Sequence, residues 1–471
     1  RGFPERRERW KSPTDGADFE GADVQVPLFA AEAKRRSMAH AVLDDPKAIW
    51  SWSLYDWANS AFATTVMAGF FPVFFKEYWS LGVDTAVSTA RLGMANSLAG
   101  VLVALCAPVL GAMADRGTAK KRFLFFFAYL GAVMTAALSL VSMGNWPAAI
   151  ALYVFGSVGF SGGNIFYDAL LTGVASEGRW DTVSSFGYAL GYLGGGILFA
   201  LNVWMSLRPE TFGFVDAAAA VRFSFWSVGV WWALFTVPLL LFVPEPRLRP
   251  GASGWAMVRE GLSQLAKTFH ELRRLRTLFL FLVAYWFYID GVDTVIRMAV
   301  DYGLSLGFQS RVLILALLIT QFVGFPAAVG FGFLGRWIGP KRAIYIALAV
   351  YLFVCAGGAM MRVQTDFFFL AGVVGTVQGG VQALSRSYFA RMVPKSKSAE
   401  FFGFYNMLGK FAAVLGPSLM GGFGLLVRSA GYGPETASRA SITSVGLLFL
   451  VGGALLFFVN EDKARLELRA V

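Results

Sequence analysis

Apolar runs of about 20 residues, separated by short polar or charged stretches, recur along almost the whole chain. They fall near 50–76, 88–113, 123–143, 147–173, 182–207 and 221–243, and again near 277–304, 308–334, 343–361, 366–392, 400–427 and 437–459. A helix rising ~1.5 Å per residue crosses a ~30 Å hydrocarbon core in about 20 residues, so each run is long enough to span a bilayer. The alternating short segments of a membrane β-barrel are absent from the pattern. The expected fold class is an all-α membrane protein with twelve transmembrane helices.

The two sets of six runs repeat one another. "DRGTAKKR" (115–122) matches "GRWIGPKR" (335–342) at a shift of 220, which places Arg116 on Arg336 and Lys121 on Lys341. "SGGNIFYDALL" matches "QGGVQALSRSY" through paired glycines, and "SFGYALGYLGG" matches "FFGFYNMLGKF" through Phe-Gly-aromatic. The first and seventh spans each carry a mid-helix Asp with a polar residue three later, Asp56/Asn59 and Asp290/Asp293. Matches that keep their order predict two pseudo-symmetric six-helix bundles with the same orientation, the arrangement of transporters that rock about a central site. The expected organisation is a polar N-terminal tail over 1–45, bundles over 46–243 and 277–460, a linker over 244–276 and a short tail over 461–471. The first ~36 residues read as disordered, with no signal-peptide pattern. In the linker, Trp255, Val258, Leu262, Leu265, Phe269 and Leu272 recur every three or four residues opposite Arg259, Lys267, Arg273 and Arg274. That is an amphipathic helix, lying on the membrane surface or packed on the protein's own loops.

Composition agrees with this reading. The chain of 471 residues is 56% hydrophobic and only 15% charged, with a mean hydropathy of +0.57, which excludes an ordinary soluble enzyme. The net charge of +11 is concentrated in 115–122, 244–276, 335–342 and 391–397, loops of one parity. It therefore reads as topology and contact with membrane lipid rather than a nucleic-acid partner, and puts both termini in the cytoplasm. The two cysteines, Cys106 and Cys355, lie inside spans, and the two histidines, His40 and His270, lie outside them. No disulfide framework, metal site or cofactor follows. Few cysteines and no organelle signal suit a bacterial inner membrane.

Ionisable residues inside the spans carry the chemistry: Asp56, Asp168, Asp290, Asp293, Arg297, Arg386 and Lys410. Three charges in the seventh span would cost about 8–10 kcal/mol at mid-membrane, whereas a dozen Leu-like residues return about 4–7. That helix needs charge pairing or a watery cavity. Asp293 and Arg297 are four apart and able to pair. Lys410 lies ~15 Å into its helix, near the expected depth of Asp290. Asp56, Asn59, Asp290, Asp293, Lys410 and Asn406 are the candidates for substrate or proton coupling. Asp115, Arg116, Asp168, Arg297, Arg336 and Arg386 are the candidates for gating or charge pairing. For Asp56 both roles stay open. Tyr55, Tyr167 and Tyr288 are possible substrate-contact aromatics. The glycines of "GYLGGG" (191–196) and "LGPSLMGG" (415–422) permit close helix approach, and Pro417 is placed to bend the eleventh helix.

"GAMADRGTAKKR" (111–122) resembles the signature loop of the major facilitator superfamily, which implies a gating role for Asp115. Gly335 stands at the matching position of the second half. "LYDWANSAF", "FYDALL", "SSFGYALGYLGGG", "DGVDTVI", "GGVQALSRSYFARMVP" and "FFGFYNMLGKFAAVLGP" together resemble the vacuole effluxer-like branch of that superfamily, from about residue 50 to 460. The resemblance implies the major facilitator fold, with the first, fourth, seventh and tenth helices lining the cavity. It also implies kinship with a fungal vacuolar amino-acid exporter and its bacterial relatives. In that branch an Asn is commoner where this chain has Asp168.

The leading expectation is a secondary transporter of small polar solutes, amino acids or related metabolites, working by alternating access as a monomer and coupled to protons or another ion. The absence of a Gly-x4-Gly-Lys-Ser/Thr loop disfavours an ATP pump. A lipid or amphiphile flippase on the same fold is the alternative. A membrane enzyme lacks its His-acid cluster, and a mere scaffold would not retain so many intramembrane charges.

Overall fold

A computed structural model describes residues 43–83, 91, 95, 98–103, 120–245 and 275–469. The side chains of some helical residues, Arg297 and Lys410 among them, lie outside the description, as do residue 115, residue 116 and most of the linker. The described residues hold helices and no strands. The first set comprises α1 (Pro46–Trp79), α2 (Lys120–Ala137), α3 (Trp146–Val174), α4 (Trp180–Leu207) and α5 (Ala217–Phe242). The second comprises α6 (Arg276–Ser305), α7 (Ser310–Ile338), α8 (Pro340–Met360), α9 (Gln364–Ala390), α10 (Ser398–Ser429) and α11 (Pro434–Phe457), followed by a short α12 (Glu461–Arg469). These match eleven of the twelve expected spans. In the remaining one, 88–113, the described residues are helical.

Local chemistry sets the helix ends. Asp45 accepts from the amides of Lys47 and Ala48 ahead of Pro46. Asn145 caps α3 through the amide of Ala148, and Asp216 caps α5 through that of Ala219, each satisfying an orphan donor of the first turn. Gly339 has φ +88°, which lets the chain turn from α7 straight into Pro340 of α8. α1 widens into π-helical turns over Phe62–Phe70 and Phe75–Trp79. Between them stands Pro72, which has no N–H to give to the carbonyl of Ala68.

The helices approach closely through small residues. A Cβ on Gly131 would lie 2.1 Å from the buried Trp232 ring, and one on Gly159 only 2.5 Å from the backbone of Gly131. Gly191, Gly194 and Gly195 admit Ser60, Trp57 and Thr64 of α1 to α4 in the same way. Phe125, Phe126, Leu234, Phe333 and Phe369 are exposed on different helices, a surface matched to lipid and adverse in water.

The repeat has a structural counterpart. Lys121 Nζ donates to the carbonyl of Val243, just past α5. Lys341 Nζ, its match at a shift of 220, donates to the carbonyls of Phe457 and Val459 at the end of α11. Each lysine thus neutralises the carbonyl end of the last long helix of its set. α10 stays helical through Pro417. The segment expected to be a tail from 461 folds as α12, whose Glu467 accepts from the amide and hydroxyl of Thr277 at the start of α6.

Candidate functional site

Residues 44, 120, 176–181, 243–245, 391–398 and 459–467 meet at one end of the bundle. Just inside this end, four helices converge on Arg386. Trp52 and Asp56 lie one turn apart on α1, so they share a face. α3 contributes Tyr167 and Asp168, α4 contributes Ser184 and Tyr188, and α9 contributes Arg386, whose side chain is 1% exposed. Its Nη1 donates to Asp168 Oδ1 at 3.1 Å and its Nη2 to Asp56 Oδ2 at 3.5 Å. Nε donates to Ser184 Oγ and Nη2 to the Ser184 carbonyl, both at 2.8 Å. The carboxylates are held from behind as well. Tyr167 Oη donates to Asp56 Oδ2 at 2.7 Å, and Asn406 Nδ2 of α10 donates to Asp168 Oδ2 at 3.1 Å. The guanidinium carbon lies 4.9, 5.2 and 4.5 Å from the ring centres of Trp52, Tyr167 and Tyr188. Gly187 makes room, since a Cβ there would lie 2.7 Å from Asp56 Oδ2 and 2.8 Å from Tyr167 Oη.

Two carboxylates and one guanidinium leave the cluster one negative charge in excess when both acids are ionised. Taking such groups out of water costs several kcal/mol each, which the pairing and the hydrogen bonds offset. All of the anionic and aromatic members belong to the first set of helices. The cation comes from the second.

Nearer the rim, Arg391 pairs with Asp181 at 2.6 Å, and Ser387 Oγ donates to the other oxygen of that carboxylate. Arg465 of α12 binds Glu461 at 2.6 Å and also Glu177, which joins the two sets again. Lys120 Nζ donates to Ser398 Oγ at 2.8 Å. Asp44 accepts from the Ser176 amide at 3.0 Å beside Arg179 at 3.6 Å. Burial pushes its carboxyl up, but the Ser176 amide and the Arg179 charge outweigh it and hold the group below its ordinary value. Glu245 accepts from the Lys120 amide at 2.6 Å, and its burial pushes the carboxyl above the ordinary value.

The other expected residues lie elsewhere. Asp290 is fully buried between α6 and α10, where both carboxylate oxygens accept from the Gly416 amide at 3.1 Å and Thr294 donates at 3.4 Å. A Cβ on Gly416 would stand 1.7 Å from Thr294 Oγ1. Asp290 therefore sits level with Gly416, six residues or about 9 Å beyond Lys410 along the helix. The close α6–α10 contact forms where this glycine allows it. Asn59 donates to Asn164 at 2.7 Å, and Tyr288 shares a hydrogen bond with Ser385 at 2.7 Å. Tyr55 packs on Tyr167 at 5.0 Å. Asp293 is half-buried, and Arg336 is exposed in the last turn of α7. Asp115 and Arg116 lie outside the described residues. Sequence reasoning missed Trp52, Ser184, Tyr188, Asp181 and Arg391. A groove of about 660 Å³ between α7 and α9 is lined by Leu315, Leu318, Phe322, Pro326 and Phe368 and has no polar group to hold a solute.

A family model described as "Vacuole effluxer Atg22 like" matches residues 81–181 and 176–469. The chain is 39% identical over 422 residues to the uncharacterized MFS-type transporter YxiO of Bacillus subtilis, covering 88% of this chain and 94% of that one. It is 23% identical to autophagy-related protein 22 of Yarrowia lipolytica, covering 73% and 72% of the two chains. Among solved structures, the human organic anion transporter MFSD10 superposes with a TM-score of 0.67 at 16% identity, over 88% of this chain and all of that one. The proton:xylose symporter XylE superposes with a TM-score of 0.64 at 13% identity, over 91% and 96%. The buried charge cluster thus sits in the major facilitator fold, in an integral membrane transporter that belongs to the vacuole effluxer Atg22-like family.

Proposed function

We propose that the protein is a secondary transporter of small polar solutes, amino acids or related metabolites among them, working by alternating access in a bacterial inner membrane with both termini in the cytoplasm. The observation that carries this reading is the buried Arg386, which belongs to one helix set and is held by Asp56 and Asp168 of the other. An ion pair between the two sets breaks when they rock apart, so the cluster acts as a lock on the cytoplasmic side. The rim pairs Asp181–Arg391 and Glu177–Arg465 close the same side as an outer layer. Opening uncovers two carboxylates, and their lost partner must be replaced by solute, by protons or by water. This couples opening to binding. In this cycle Asn406 steadies Asp168, while Asp290 holds α10 against α6.

The test is solute flux in proteoliposomes across an amino-acid and dipeptide panel, with and without an imposed proton gradient. Wild type is expected to move at least one panel member saturably. Arg386→Met is expected to lose gradient-driven flux at least tenfold. Folded protein with no flux of any panel member, or an Arg386→Met variant as fast as wild type, would sink the reading.

A further inference from the structure

We infer that the pocket around Arg386 is a binding site for the cationic end of a transported solute, a guanidinium or primary ammonium, and that Arg386 occupies it in the closed state as a built-in surrogate. The inference rests on the transport reading above and gives the substrate its chemical class.

The geometry is that of a cation cage. Trp52, Tyr167 and Tyr188 turn their rings towards the guanidinium at 4.5–5.2 Å, within the ~6 Å over which a ring face attracts a cation. Asp56, Asp168, Ser184 Oγ and the Ser184 carbonyl supply four acceptors to three nitrogens of the group. Every one of these residues lies on α1, α3 or α4. The cage therefore belongs to a single helix set and remains assembled when that set moves as a unit. The occupant, Arg386 on α9, leaves, and with it the Asn406 amide of α10 that backs Asp168. The departure of Arg386 removes one positive charge from between two buried carboxylates and from beside three aromatic rings.

The aromatic faces decide among replacements. A proton would neutralise a carboxylate but has no use for the rings. A small metal ion keeps its water or demands oxygen ligands. An organic cation uses both the acids and the rings. Arg386 and the solute then compete for one cage, so solute binding favours the open state and its release lets the lock close.

The test empties the cage and offers it a cation. Arg386→Ala protein in nanodiscs is melted with and without millimolar methylguanidinium, with methylurea as the neutral isostere. The expected result is a rise of several degrees in Tm with methylguanidinium, none with methylurea, and loss of the rise in Arg386→Ala/Trp52→Leu. An equal response to both compounds, or to neither, overturns the inference. Should Arg386→Ala not fold, wild-type proteoliposomes decide. Agmatine and arginine are expected to compete with the transported solute at least tenfold better than 4-methylpentanoate, which keeps the side chain and carboxylate of leucine but has no ammonium. Flux that is competed equally by all three overturns the cation site while the transport reading stands. Rescue by methylguanidinium in a protein that moves no solute keeps the cage and removes the transport reading.

Discussion

Asp56 and Asp290 are the same signal in the sequence, an acid in the middle of a spanning helix with a polar residue three positions on, yet the structure treats them differently. Asp56 is answered by Arg386, which reaches it from the other set of helices. Asp290 finds its described partners, the Gly416 amide and the Thr294 hydroxyl, within its own set. A charge satisfied across a moving boundary reports on the conformational state. One satisfied inside a rigid unit holds that unit together in every state. On the proposed reading, the address of the partner and not burial separates a gate from a strut.

The sharpest way to break this comparison is to remove the cross-set cation. Arg386→Met leaves two carboxylates buried without their partner, a loss of about 3–5 kcal/mol for the state that buries them. The protein is expected to abandon the closed arrangement, seen as longer spin-label distances between the ends of α4 and α9. Asp290→Asn is expected to leave those distances at wild-type values. An Asp290→Asn variant that opens as far as Arg386→Met would show that both acids report on the gate.

Next in size is the contact that Asp290 secures. Gly416→Ala puts a methyl group 1.7 Å from Thr294 Oγ1 and 2.7 Å from its Cβ, an overpacking that costs about 1–3 kcal/mol. The expected result is a lower Tm with an unchanged ratio of closed to open protein, partly restored by Thr294→Ala. If Gly416→Ala instead shifted the ratio and spared the Tm, the α6–α10 contact would belong to the moving boundary.

The same contrast explains what the sequence disclosed. Apolar runs place helices because each must cross hydrocarbon whatever its neighbours are, so the spans and the repeat were legible. So was the anomaly of Asp56, Asp168, Asp290 and Arg386, since each charge is costly at its position along its own helix. Partner choice was not. Arg386 meets Asp56 across 330 positions of sequence, and the Gly416 amide meets Asp290, because contact follows where small residues let helices close. Trp52, Tyr188 and Ser184 gave no sign, since an aromatic or a serine in a span is ordinary packing until a cation is placed beside it. Asp181 and Arg391 sit at helix ends, where charges are commonplace. Gly187 is one glycine among 52, and only the position of Asp56 Oδ2 makes it indispensable.

The smallest expected effect sharpens the comparison through pH. Asp44 and Glu245 both lie at the rim and both accept a backbone amide from another helix or turn, but their carboxyls move in opposite directions. Asp44 is held below its ordinary value, so its contribution to stability is complete above the unfolded value of about 4 and is lost as pH falls through the lower folded value. Asp44→Asn is expected to melt below wild type at neutral pH, by the equivalent of about 1 kcal/mol, and to converge with it in acid. Glu245 is raised by burial, so its contribution is present below the unfolded value and declines as pH rises through the higher folded one. Glu245→Gln, which keeps an acceptor for the Lys120 amide without the charge, is expected to match wild type in acid and to melt no lower at neutral pH. Melting curves of both variants from pH 3 to pH 8 test the pair together. Parallel curves would show that the deeper burial of Glu245 does not distinguish the two. Opposed curves would show that the balance differs at the two sites: the Ser176 amide and the Arg179 charge outweigh burial at Asp44, whereas burial outweighs the amides and charges of Lys120 and Lys121 at Glu245.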